Sequence, residues 1–179
     1  MSFLSYTRDF HNNLLMFLLR DHKRYMPIVT FFETMTQNLS ELSWSETELI
    51  ATEVSKINQS GFCSGLRSGM TKALNADASE LKNTKLATAL AFALKINQNP
   101  NDITQIDIDE VIDAGWSEQT VEDIVGLVAI QSLYNIISNG LGFRQLPEGE
   151  FIEIANDTVN KGGYTASFKQ YINLMNNES

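Results

Sequence analysis

Cys63 is the only cysteine in the chain, and it stands in the stretch Ser60-Gly61-Phe62-Cys63-Ser64-Gly65-Leu66-Arg67. The thiolate is the reactive form of cysteine, and at an unperturbed pKa of about 8.5 only roughly 3% of a thiol is ionised at pH 7. The stretch follows one amphipathic helical pattern and opens another, so Cys63 belongs to a first helical turn, near the positive end of the helix dipole. Ser60 at the N-cap would place its hydroxyl on the Cys63 N–H and fix that turn. Arg67, four residues on, shares a helical face with Cys63, and a nearby cation favours thiolate. Glu48 acts in the opposite sense unless Arg67 pairs with it. A thiol brought to a pKa of about 6 in this way is roughly 90% ionised, a gain of about thirtyfold. That gain alone does not make a fast catalyst, because larger factors come from groups positioned at the transition state.

The same residues have structural readings. A single cysteine in a helical protein is usually a small buried apolar residue. Glu48 has capping-box spacing to Ser45, in competition with Ser43 and Glu46. Arg67 suits a structural ion pair with Glu48 or with a neighbouring subunit. Ser60 reads as a helix cap rather than a nucleophile, because no histidine lies near it in sequence to act as its base. His11 and His22 read as ordinary residues of the first helices. One cysteine excludes an intramolecular disulfide and a Cys-rich zinc site, and two histidines leave no His-cluster metal site. Neither a cofactor nor a metal is expected.

The elements that must position these side chains are helices. Apolar residues recur with a 3.6-residue period in almost every segment, and no hairpin signal interrupts them. The spacing predicts a helix from Tyr6 to Arg20. A second, with Pro27 in its first turn, runs to about Asn38. A capping box at Ser43–Glu46 opens a helix to about Gln59. Gly61 starts a turn, and a helix runs from Cys63 to about Leu74, broken at Asn75-Ala76-Asp77. An Ala-rich helix ends near Asn97, and 99–102 reads as a loop. Asp107–Ala114 is a short helix stopped by Gly115. Ser117 caps a long helix from Glu118 to about Ser138, apolar nearly all round and so buried in the core or across a subunit contact. Asn139-Gly140-Leu141-Gly142 ends it. From Pro147 two weaker helices follow, divided at Gly162-Gly163. Short turns between helices predict antiparallel neighbours in a bundle.

The 179 residues suit one domain. Hydrophobic residues make up 43% and charged residues 20%, as in a soluble globular protein. A net charge of −9 argues against a nucleic-acid partner, which needs clustered Lys and Arg. No secretory signal is read, and the apolar run Leu14–Leu19 is too short for a membrane span, so the cytoplasm, where a free thiol stays reduced, is the expected compartment.

Two stretches, taken together, resemble a known family. The run from Leu42 to Ile50 leads through Asn58 to the cysteine stretch, and Ala114-Gly115-Trp116-Ser117 leads through Tyr134-Asn135 to Gly140-Leu141-Gly142. This order is similar to the AhpD-like superfamily, the alkylhydroperoxidase and carboxymuconolactone decarboxylase-like proteins, and in particular its peroxidase-related branch. The resemblance covers roughly residues 25–146 and leaves 147–179 as a C-terminal helical extension. The family motif is a Glu, eleven residues, Cys, two residues, Cys, three residues, His. On this chain Glu48 takes the Glu position, Ser60 the first Cys, Cys63 the second Cys and Arg67 the His, without a gap.

The resemblance implies an all-α AhpD-like helical bundle that assembles as a dimer, trimer or hexamer. In the family the two cysteines cycle between dithiol and disulfide while Glu and His move protons. Ser60 removes that cycle within one chain, and arginine holds its proton near neutral pH. Three functions follow. The first is an alkylhydroperoxidase-like antioxidant protein of weak single-cysteine activity, with Cys63 as the reactive thiol, Glu48, Arg67 and Ser60 in support, and an external thiol as reductant. The second is a binding or structural member without catalysis. The third is decarboxylase-type lyase chemistry, for which no histidine remains as acid.

Overall fold

A computed structural model describes residues 3–5, 12–37, 41–76, 79 and 83–177. Among them lie nine α-helices and no strand, the all-α architecture that the periodicity predicts. The first expected helix is seen as α1, Leu14–Arg20, opened by Asn13, whose side chain accepts from the Met16 N–H at 3.0 Å. Its predicted start at Tyr6, together with Phe10 and His11, lies outside the described residues, as do Asn38 and Asp77.

Helix α2 spans His22–Thr36 and carries Pro27 in its interior, not in its first turn. The reason lies upstream. The Asp21 carbonyl takes the Arg24 and Tyr25 N–H groups at 3.0 and 3.1 Å, so the helix is already nucleated when it reaches Pro27. The bond that Pro27 cannot make would have gone to Lys23, which is exposed, so water can take its place.

Helix α3, Trp44–Ile57, begins with both bonds of the Ser43–Glu46 capping box. That assigns the cap to Glu46 and leaves Glu48 two residues further on, turned into the interior. After a turn through Gln59, at φ 51°, α4 runs from Gly61 to Ala73. It starts two residues before the sequence expectation, so Gly61 is its first residue rather than part of the turn. Asn75 in the left-handed region ends it, as the sequence predicts.

Helix α5, Thr84–Gln98, is followed by a short 3-10 turn, Pro100–Asp102, where a loop is expected. Helix α6 is Gln105–Asp113, and Gly115 at φ +93° turns the chain towards α7, Glu118–Gly140, whose cap Ser117 accepts from the Thr120 N–H. Helices α8, Glu148–Asn160, and α9, Tyr164–Asn177, are divided by Gly162 and Gly163, both at positive φ.

Helix α7 is the hub. It packs against α2, α3, α4, α5 and α6 and also touches α1. Its Ile124, Leu127, Val128 and Ile130 join Ile50, Val54, Phe62, Ala89 and Ala93 in one core that reaches from α1 to Phe168 on α9. By length and composition α7 resembles a membrane span, yet it also buries Asp123, Gln131 and Asn135 against its neighbours. Helix α4 packs chiefly on α3 and α8. The approach to α8 is close because Gly65 and Gly69 face Phe151, leaving no room for a side chain at either position.

Candidate functional site

The α3 register turns Glu48 inward, and the α4 register turns Arg67 towards it and Cys63 into the core. Glu48 is 0% exposed, Cys63 2% and Arg67 5%. Arg67 Nη1 donates to Glu48 Oε2 at 3.4 Å, closing an ion pair between helices adjacent in sequence. Two charges this deep are stable only with further hydrogen bonds, and α9 supplies them. The Tyr164 hydroxyl donates to Glu48 Oε1 and accepts from Arg67 Nη1 at 2.5 Å. Trp44, one turn before Glu48, donates from Nε1 to Oε1 at 3.1 Å. The guanidinium lies over the Phe32 ring at 3.8 Å and the Tyr164 ring at 4.9 Å, where cation–π attraction replaces part of its lost hydration.

Electrostatics follow from burial. Burial raises the Glu48 carboxyl above the ordinary carboxylate range, against the pull of Arg67 and of its hydrogen-bond donors. Burial opposes the charge on Arg67 too, but Tyr164, Glu48, Cys63 and Tyr134 together hold its pKa above the ordinary value. The cluster therefore keeps a permanent cation beside a carboxyl group whose charge is costly.

Cys63 differs from the sequence expectation. Burial pushes its thiol above the ordinary value, and the opposing influences of Ser60, Arg67 and Ser138 do not overcome it. The helix dipole and a nearby cation are present, as the sequence indicates, but they act on a thiol removed from water. Ser60 does occupy the N-cap position of α4, yet its hydroxyl makes no cap bond. It lies beside the sulfur and favours thiolate, but Ser60 Oγ is within hydrogen-bonding geometry of no partner. The turn is held instead by the backbone, with Ser64 N–H donating to the Ser60 carbonyl at 2.8 Å.

All four residues expected at the site are thus buried, Glu48 paired with Arg67 between α3 and α4, and Ser60 beside Cys63 at the start of α4. The sequence places α9 in a C-terminal extension and does not single out Tyr164. No local pattern marks it, because its partners are separated from it by about a hundred residues. Trp44 stands in the sequence as part of a cap, although its spacing of four to Glu48 is visible there. His22 is the first residue of α2. No group of three or more His, Cys, Asp or Glu suited to a metal occurs among the described residues.

Beside this cluster is a cavity of about 70 Å³, partly open to solvent and lined by residues of α1, α2, α4, α7, α8 and α9. Arg67 and Tyr164 line it, with Leu14, Val29, Phe62 and Phe168 among its apolar walls. Cys63 and Glu48 are not among its lining residues.

No protein-family model matches the chain, and no curated protein matches it significantly. Several solved chains do, among them two peroxidase-related proteins. One is the alkylhydroperoxidase AhpD core of an uncharacterized peroxidase-related protein from Ralstonia eutropha JMP134, at 17% identity, TM-score 0.67 and 79% coverage of each chain. The other is an uncharacterized peroxidase-related protein from Silicibacter sp. TM1040, at 18% identity, TM-score 0.69 and 77% coverage of each chain. The fold of this chain is therefore AhpD-like.

Proposed function

We propose that this chain is a small-molecule-binding protein on an AhpD-like fold, in which binding at the Arg67 cavity stands in place of dithiol catalysis. The observation that carries the reading is the cavity itself, apolar in its walls and lined by a buried guanidinium, with the single thiol outside it. A dithiol cycle needs a second sulfur, and Ser60 supplies a hydroxyl. Pressurising the protein with xenon tests the site, since a dry apolar cavity takes such a probe. Xenon-induced NMR shifts confined to Leu14, Val29, Phe62 and Phe168 are expected, and shifts absent from all four would sink the reading.

A second reading is favoured by the hydroxyls and the cation beside the sulfur. In it, Cys63 acts as a weak single-cysteine peroxidase. The thiolate attacks one oxygen of a hydroperoxide, the S–O bond forms as the O–O bond breaks, and the alkoxide leaves and takes a proton. An external thiol then condenses with the sulfenic acid, releasing water and leaving a mixed disulfide, and a second thiol displaces Cys63 as the external thiols leave joined in a disulfide. Peroxide consumption with an external dithiol, lost in Cys63→Ser, would establish this reading. Consumption equal in wild type and Cys63→Ser would remove it.

A further inference from the structure

The Arg67 cavity has a composition that selects a ligand. Both hydrogen bonds that place Arg67 in its cluster leave from Nη1, while Nε is buried and has no partner. A buried unpartnered N–H is costly, so an acceptor that reaches it gains more than it would in water. The remaining lining is largely Leu, Ile, Val, Phe and Tyr, and Arg67 is the one Lys or Arg among the lining residues. An apolar body with one anionic end meets every feature of this space. A neutral apolar molecule leaves Nε unmet, and a dianion buries a second charge with no cation to face it. The cavity is about 70 Å³ and partly open to solvent, so it favours a short aliphatic body, part of which extends past its walls.

We propose that the cavity binds a short-chain aliphatic monocarboxylate on Arg67, and that each carboxylate enters with one proton that neutralises Glu48. The proposal rests on the binding reading and names its ligand class. The proton follows from charge balance. Arg67 is already paired with Glu48, so a second carboxylate would leave the buried cluster net negative unless one proton came with it. The groups facing the pair are Trp44 on α3, Cys63 on α4, Tyr134 on α7, and Tyr164 on α9. Burial holds the thiol and both phenols neutral through the physiological range. Glu48 is the one member free to take up the proton.

Isothermal titration of the full chain with isovalerate and with its neutral isostere isovaleramide, from pH 5.5 to 8.5, tests this. Isovalerate is expected to bind at least about tenfold more tightly than the amide. Its affinity is expected to fall with rising pH, by up to about tenfold per unit where Glu48 is ionised in the free protein. Glu48→Gln should tighten isovalerate binding at the upper end of that range and flatten the pH dependence. Arg67→Met should abolish isovalerate binding, and circular dichroism checks that this variant is folded. Glu48→Gln keeps the test decisive if it is not. Amide binding as tight as isovalerate, or an unchanged pH profile in Glu48→Gln, overturns the carboxylate assignment and leaves cavity binding standing. Failure of isovalerate, isovaleramide and xenon alike overturns both.

Discussion

At Cys63 two influences oppose each other. A cation, a helix N-terminus and two hydroxyls favour the thiolate, while near-complete burial favours the thiol, and burial prevails. Because the folded-state pKa is raised, the neutral thiol contributes stability at any pH below the unfolded value, and that contribution is lost as pH rises through the folded one. The thiolate absorbance near 240 nm is therefore expected to appear at higher pH in the native protein than in the unfolded one. Iodoacetamide at pH 7.5 should react more than about tenfold slower with native protein than with protein in guanidinium. Native alkylation at the denatured rate would contradict the burial. Tyr164 works the other way, as a residue that makes burial possible. Its hydroxyl bridges Glu48 and Arg67, so Tyr164→Phe removes a donor and an acceptor from two buried charged groups at once. A loss of about 1.5–3 kcal/mol is expected, read as a lower urea midpoint with an unchanged m-value. An unchanged midpoint would mean that the pair does not need the phenol. The composition of the site was partly legible in sequence, because Glu48, Ser60, Cys63 and Arg67 lie within one helical hairpin whose spacing can be counted. Tyr164 and Phe32 were not, since only tertiary packing brings them to Arg67.

At the scale of elements, caps and breakers were legible because each acts within four residues. Ser43 with Glu46, Ser117, Gly115 and the Gly162-Gly163 pair all punctuate helices where the sequence indicates. Pro27 misled because its effect depends on where the helix had already started. Gly61 misled because glycine marks turns, and here it opens a helix. A Cβ at Gly61 would lie 2.9 Å from Gln145 Oε1, the end of an exposed side chain that can swing away, so space alone does not demand glycine there. The α4–α8 contact does depend on glycine. At Gly69 a Cβ would sit 2.8 Å from the Phe151 carbonyl oxygen, a backbone atom that a rotamer change cannot move. Gly→Ala inside a helix ordinarily gains about 0.5–1 kcal/mol. Here overpacking should exceed that gain, so Gly69→Ala is expected to destabilise by about 1–3 kcal/mol in chemical denaturation. A stabilised Gly69→Ala would show that α8 can move away without cost. If α8 shifts instead, the Arg67 cavity, which Ile154 and Thr158 of α8 help to line, changes shape with it.

At the scale of the whole molecule, the near-continuous apolar surface of α7 has two parts. One part is the core. The other faces outward, where Val125 and Leu133 are exposed and Ile136 is 70% exposed. With Ala129, also exposed, these residues recur at spacings of four, four and three, a stripe along one side of the helix. A helix chosen only to fill the core would carry polar residues on that side, as α6 does at Asp109, Glu110 and Asp113. We propose that this stripe is covered by a second copy of the chain. A like-with-like contact suits it, because an apolar ridge is self-complementary across a two-fold axis; the net charge of −9 on each copy works against the contact, so the buried apolar area has to outweigh it. Light scattering of the wild-type protein is expected to give a mass at least twice 20.1 kDa. Ile136→Asp should lower that mass, since two carboxylates would meet across the axis in an apolar contact, each costing several kcal/mol if buried without a partner. Ile106→Asp is the control. Ile106 is 68% exposed on α6, away from the stripe, and the same change there should leave the assembly intact. A monomeric wild type would refute the contact outright, and an equal response of the two variants would place it elsewhere on the surface.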